Sequence, residues 1–220
     1  MRRLPLVTVC CLLLVSCGGG SKKSADPGRE AIDKLVSAAA TGDTAAMWNL
    51  LSRASQKRLG PTLADFGKGS AKMLEQQLAP FHAVPFRTLV SELVSTEVGV
   101  VAIRDGTSVY AVPLEREGGG LRAELGGPLR IEPLGPKPGL QRDRVQQVAI
   151  RIRGGKKGEA LGVVLWLDGV KLDGRAFGTA ADATVFSNLD AAAGKGSHSV
   201  VAIANSGADA SALAWVFRVR

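Results

Sequence analysis

Cysteine is nearly missing from this 220-residue chain, and the three present, Cys10, Cys11 and Cys17, all lie at its start. Nothing after Cys17 can form a disulfide, a thiolate metal site or a thiol nucleophile. Histidine is almost as scarce, with His82 and His198 alone. Two distant imidazoles leave a metal only carboxylates to bind, and no D-x-D-x-D-G loop supplies them in order. Aromatic residues make up 5% of the chain, with a single Tyr. That is too few for the stacking platforms that hold single-stranded nucleic acid. The glycine-rich stretches GGGL at Gly118 and RGGKKGEA at Arg153 miss the G-x-x-x-x-G-K-[ST] spacing of a phosphate loop and read as hairpin turns. No cofactor is expected. No apolar run reaches the ~20 residues that a spanning helix needs.

The shorter apolar run that is present has a different form. Arg2 and Arg3 precede Leu4 to Val15, and small residues follow. A basic start, a short apolar stretch and a small-residue end make a cleaved secretory signal. Its end, Leu14-Val15-Ser16-Cys17, resembles the lipobox of bacterial lipoproteins. The resemblance implies that residues 1–16 are removed and that Cys17 carries diacylglycerol as the new N-terminus. Residues 17–25 (CGGGSKKSA) then form the lipidated Cys and a flexible tether. The eight tether residues after Cys17 span at most ~29 Å. The implied location is extracytoplasmic, anchored through Cys17 to the cell membrane or an outer membrane.

The net charge of +8 is unevenly placed. Residues 1–25 carry +4, residues 26–138 balance, and residues 139–220 carry the other +4. Half of the excess thus belongs to signal and tether, where Lys22 and Lys23 would lie beside lipid headgroups. No dense basic patch with interleaved aromatics is visible, so nucleic acid is not an expected partner.

From Asp26 the pattern is helical. Asp26 is placed to cap, with Pro27 at the first helical position. Ile32, Leu35, Val36 and Ala39 make one stripe, and Gly42 suits a left-handed C-cap. Asp43 opens a second helix carrying Met47, Trp48, Leu50 and Leu51, and Lys68 to Ala79 a third with Met73, Leu74 and Leu78. The period then changes to that of strands: Phe86–Leu93, Thr96–Arg104, Ser108–Leu114, Leu121–Leu125 and Leu129–Leu134 predict an antiparallel meander. The stretch Ala31 to Ser52, with an apolar helix, Gly-Asp, and a short helix ending in an apolar pair and Ser, resembles the opening of nuclear-transport-factor-2-like (cystatin-like) domains. That resemblance covers 26–135. It implies an α+β cone of helices on a curved antiparallel sheet, with a mouth that holds a ligand or a partner's segment.

GPKPG (residues 135–139) reads as a stiff break, giving a linker over 136–140. Residues 141–220 are strand and turn throughout. Val148, Ile150 and Ile152 alternate with other residues. Gly162 to Leu167 is a continuous apolar run, Ser197 to Ala204 alternates again, and Leu213, Trp215, Phe217 and Val219 share one face. The pieces WLDGVKL, GSHSVVAIA and LAWVFRV resemble a bacterial immunoglobulin-like domain, which implies an all-β sandwich. Without a disulfide, Trp166, Trp215 and Phe217 are expected to hold it.

The candidate ligand-binding residues follow from the cone: Trp48, Phe81, His82 and Tyr110 at its mouth. No catalytic set is assigned, and no metal. The function expected is a non-catalytic lipoprotein module that binds a small molecule or an envelope protein. One alternative is a small-molecule enzyme built around His82 or Tyr110 in the cone; another is a structural spacer with a filled cone. Cone-type domains also pair through their sheets, so a homodimer is one arrangement the resemblance offers.

Overall fold

The structure, a computed structural model, describes residues 26–82, 86–106, 108–141 and 144–220. The expected signal, the expected lipidation at Cys17 and the expected tether lie outside the described residues. The protein is mixed α+β with a β-rich second part.

Helices come first: α1 (Pro27–Thr41), α2 (Thr44–Asn49), α3 (Arg53–Leu59), α4 (Leu63–Gly67) and α5 (Ser70–Leu78), closed by a 3-10 turn at Ala79–Phe81. The Asp26 carboxylate accepts from the Gly28 and Arg29 amides at 3.0 and 3.1 Å, and from Ser91 Oγ at 2.7 Å. One side chain thus caps α1 and ties it to a strand. Gly42 ends α1 at φ 65°, as its position predicts, and Asp43 caps α2 through the Ala46 amide. Helices α3 and α4 are too short to show a stripe, but Ser52 and Thr62 cap them. Met73, expected in the core, is 47% exposed, while Leu74 and Leu78 are buried.

Thirteen strands follow among the described residues. β1 (Arg87–Leu93), β2 (Val98–Asp105), β3 (Ser108–Glu117) and β4 (Gly120–Ala123) form the expected meander, in that order. The expected fifth strand does not join it. β5 (Arg130–Gly135) pairs instead with β7 (Val145–Arg153), so the crossing into the second part falls near 124–129 rather than 136–140. The reason is packing: Leu129 is buried and Ile131 half-buried in the second part's core, not the first's. The Pro-rich break is likewise no spacer between two bodies. Pro136 O accepts from the Trp215 indole at 2.8 Å, and β6 (Gly139–Gln141) pairs in parallel with β13 (Asp209–Val219). Proline, lacking an N–H, takes the chain off the edge of one sheet and onto the edge of the other.

The remaining strands are β8 (Leu161–Leu167), β9 (Val170–Leu172), β10 (Arg175–Thr179), β11 (Asp182–Ala193) and β12 (Gly196–Ser206). They complete two sheets: an outer one, β10-β11-β7-β5, and a middle one, β6-β13-β12-β8-β9. The layers run helices, first sheet, middle sheet, outer sheet. Successive strand residues face opposite ways, so each middle layer supplies two cores. On β2, Val101 and Ile103 meet the helices, while Val100 and Ala102 meet the middle sheet. On β12, Val201 and Ile203 face the first sheet, while Val200, Ala202 and Ala204 face the outer one.

This alternation corrects the role of one tryptophan. Trp215 and Phe217 do fill the space between middle and outer sheets, but Trp166 points the other way, into the seam against the first sheet. Its neighbour Leu165 takes the inner place. The Trp166 indole donates to Glu92 Oε2 at 3.3 Å, and Lys171 pairs with Glu92 Oε1 at 2.8 Å. The seam is expected to make the two parts unfold as one unit. Ile203→Ala, which opens a cavity there, is expected to cost ~2–5 kcal/mol. It should lower a single denaturant transition seen alike by far- and near-ultraviolet circular dichroism; two separated transitions in the unmodified protein would contradict the fused core.

Candidate functional site

The four residues expected at one mouth do not line one: Phe81 and Tyr110 touch, but within the packing, and His82 lies outside it. Phe81 is buried, edge-on to Phe86 at 6.0 Å and tilted to Tyr110 at 6.5 Å between ring centres. It is packing, not lining. Trp48 is half-buried and donates its indole N–H to Gly60 O at 3.2 Å. His82 is exposed beyond the 3-10 turn. Tyr110 donates its hydroxyl to Gln77 Oε1 at 3.2 Å, and burial pushes its pKa up to about 12, which keeps it a neutral donor. Of the four, only Tyr110 borders a cavity of about 240 Å³ that reaches Glu124 and Ala210. The helix side of the first sheet is closed by Phe66, Leu78 and Phe81, so its interior is occupied by the protein's own side chains.

The densest polar chemistry lies elsewhere, where the end of β4 leads into the second part. Glu124 is the centre. Ser52 and Ser55 both donate to its Oε2, Ser55 at 3.0 Å, and Arg58 donates to Oε1. Ser52 and Ser55 come to this place because Ser52 caps α3 and Ser55 lies one turn along it. The second nitrogen of Arg58 bridges to Asp209, on β13 of the second part. Arg58 therefore makes one polar connection between the two parts, and neither Glu124 nor Asp209 is left alone. A second cavity of about 300 Å³ lies beside the cluster, bordered by Glu97, Glu115, Glu124 and Gly207.

Glu115 is the unsettled member. Its Oε2 is buried with no hydrogen-bond partner among the described residues. Burial first, then the charges of Glu124 and Glu117, and a hydrogen bond to Glu124, hold its pKa above the ordinary carboxyl value, with Ser52 opposing. A proton on Glu115 removes the repulsion and supplies the donor that the pair lacks. Two carboxyls in unlike environments are the arrangement that acid–base enzymes use. Here, however, both oxygens of Glu124 and both serine hydroxyls are already engaged within the protein. The arrangement works as a latch. Nothing in the spacing of Ser52, Arg58, Glu115, Glu124 and Asp209 announces it, because the fold alone brings them together.

His198 is tied down in the same way. Its Nδ1 lies 2.7 Å from Asp168 Oδ2 and its Nε2 lies 2.9 Å from Gly194 O. Both ring nitrogens face acceptors, which favours the doubly protonated ring. Burial works against that charge, but the bonds to Asp168 and Gly194 outweigh it and raise the pKa. Asp168 sits at φ 51° in the turn between β8 and β9 and also accepts from the Ser199 amide at 2.8 Å. The imidazole staples two hairpins. Among the described residues no group of three or more His, Cys, Asp or Glu side chains is placed to hold a metal ion. None of their helices is long and apolar enough to cross a membrane.

No protein-family model matches the chain, and no curated protein sequence is detectably similar to it.

The latch and the staple give two measurable expectations. Glu124→Ala leaves Arg58 paired with Asp209 alone and takes the acceptor from the buried Ser52 and Ser55 hydroxyls, and is expected to cost about 1–3 kcal/mol of stability, read by denaturant unfolding. Glu115→Gln should instead raise the melting temperature at neutral pH. The raised pKa of Glu115 means its contribution is complete below the unfolded value near 4.5 and is lost as pH rises through the higher folded value. The same sign holds for His198: its stabilisation is complete below 6.5 and fades as pH climbs through the raised folded pKa. Asp168→Asn should flatten that alkaline loss in a series of thermal melts, and an unchanged slope would remove His198 as its source.

Proposed function

We propose that the protein is a lipid-anchored extracytoplasmic module of a bacterial envelope, non-catalytic, which works by binding. The anchor rests on Leu14-Val15-Ser16-Cys17 after a short apolar stretch. The packed helix side of the first sheet, where Phe81 takes up the space a small-molecule site would need, is the filled cone that the spacer alternative expects; the observation that carries the binding reading is the open groove edged by Arg104, Leu140 and Arg218. The enzyme alternative is weakened by the exposed position of His82 and by the engagement of every serine hydroxyl around Glu124.

In this reading residues 26 to about 125 form a nuclear-transport-factor-2-like α+β domain, supported by helices followed by a four-stranded meander. From about 129 onward the chain forms an immunoglobulin-like sandwich. Taking β5, β7, β8, β9, β10, β11, β12 and β13 as strands A, B, C, C′, D, E, F and G, the sheets read D-E-B-A and G-F-C-C′. That order is shared with immunoglobulin folds. A homodimer through the first sheet is not part of this proposal, because the second face of that sheet is packed against Trp166, Val201 and Ile203.

The test is the intact mass of the protein extracted from its own membranes in detergent. A diacylglyceryl addition on Cys17, lost together with membrane association in Cys17→Ser, is the expected result. An unmodified Cys17, or a Cys17→Ser chain that stays acylated and membrane-bound, would falsify the anchor. A co-purifying protein supports the binding role, and turnover of a small molecule dependent on Glu124 or His82 would overturn it.

A further inference from the structure

The middle sheet is longer than the sheet that covers it. Ala212 and Ala214 of β13 pack against the first sheet, and Val216 and Arg218 continue the same face beyond it. Leu140 on β6 and Ser197 on β12 stand directly opposite Arg218 on its two sides, so the three form one row across the sheet. The covering stops at the end of β2, where Arg104 Nη2 donates to Ser197 Oγ at 3.0 Å. Past that point an open groove of about 1160 Å³ remains. Its floor is apolar, with Leu140 47% exposed.

The rim of this groove has one sign. Arg104, Lys195, Arg218 and Arg220 line it, and no Asp or Glu does. None of the four makes an ion pair with another described residue. Arg87 adds a fifth cation, exposed and directly opposite Arg104 across β1 and β2. Like charges placed opposite each other on neighbouring strands destabilise a sheet. An anion over the pair reverses that cost. This cluster is where part of the +4 of residues 139–220 is spent, joined by arginines from a segment whose net charge is zero.

We propose that this groove docks onto the anionic phospholipid surface of the anchoring bilayer, with Leu140 at the acyl boundary and the cations among phosphates. An apolar strip edged by Lys and Arg is the pattern of an interfacial membrane contact. The position of the tether favours the same partner. Asp26, where the described chain begins, bonds Ser91 on β1, and Ser91 pairs with Val101 on β2. Arg104 lies three residues further along β2, ~10 Å at ~3.3 Å per residue. A tether of up to ~29 Å therefore lets the groove reach the bilayer that holds Cys17. The proposal rests on the reading of Cys17 as the anchor, and it adds that the folded part lies against the membrane instead of standing away from it.

The test uses the chain from position 17 onward carrying Cys17→Ser. Every core contact and hydrogen bond given above lies within residues 26–220, so this chain keeps the fold while lacking lipid. Its co-sedimentation is measured with vesicles of phosphatidylcholine alone and of phosphatidylcholine mixed with phosphatidylglycerol. Each cation near an anionic surface is worth about fivefold in partitioning. Lys195→Glu with Arg218→Glu is therefore expected to lower binding to the mixed vesicles by at least ~25-fold, with circular dichroism unchanged. Equal binding to both vesicle types would overturn the proposal. So would binding that survives this pair but is lost in Lys22→Glu with Lys23→Glu, which assigns it to the tether. Full competition by soluble glycerol phosphate, with no preference for vesicles, would make the groove a site for free phosphate esters and also overturn it. Because the tested chain is unlipidated, its result is independent of the mass measured on Cys17.

Discussion

Val100 and Ala102 on one strand meet Val201 and Ile203 on another across an apolar seam, and the other features of the molecule are arranged around it. A sheet that is apolar on both faces must be covered on both. The first sheet is covered by helices and by the middle sheet; the middle sheet is covered by the first sheet and the outer one. Separating the two parts would expose Trp166 together with those four side chains. This is the physical reason that two segments with different secondary-structure patterns behave as one body.

The polar groups reinforce the seam from its margins. At one margin Glu92 receives the Trp166 indole and the Lys171 ammonium. At another, Arg58 joins Glu124 to Asp209. The largely buried Glu124–Arg58–Asp209 charges add little net stability over an apolar filling, yet removing one partner is costly, whereas the more exposed Lys171–Glu92 pair adds little either way. They fix how the parts meet more than how strongly. Where the seam runs out, beyond Arg104, the same sheet face continues uncovered with an apolar floor and a cationic rim. The groove is a consequence of unequal sheet lengths.

Much of the fold was legible along the chain. Asp26, Gly42 and Asp43 mark helix ends by local hydrogen bonding, and each does so in the structure. The strands from Phe86 to Leu114 and the alternation of Val148, Ile150 and Ile152 were readable by period. Helices α3 and α4 were not, because each buries a single residue, Ser55 or Phe66, and so shows no apolar stripe. β10 and β11 were also missed: β10 is exposed throughout and so carries no apolar alternation. The candidate site fared worst. Trp48, Phe81, His82 and Tyr110 were grouped on the shape of a fold family, and the packing of Phe81 and exposure of His82 separate them.

The sequence by itself determined that helices precede strands and that the runs VGVVAI and GVVLWL are apolar throughout. A continuous apolar run states that a strand is buried on two faces, but not against what. Tertiary structure decided that β5 leaves the first sheet, that Trp166 faces the seam, and that Ser52, Arg58, Glu124 and Asp209 converge. The physical reason is range. Caps, turns and periods are settled by neighbours a few residues apart, whereas the partner of a strand edge or a buried charge lies far along the chain and is chosen by the packing of the whole.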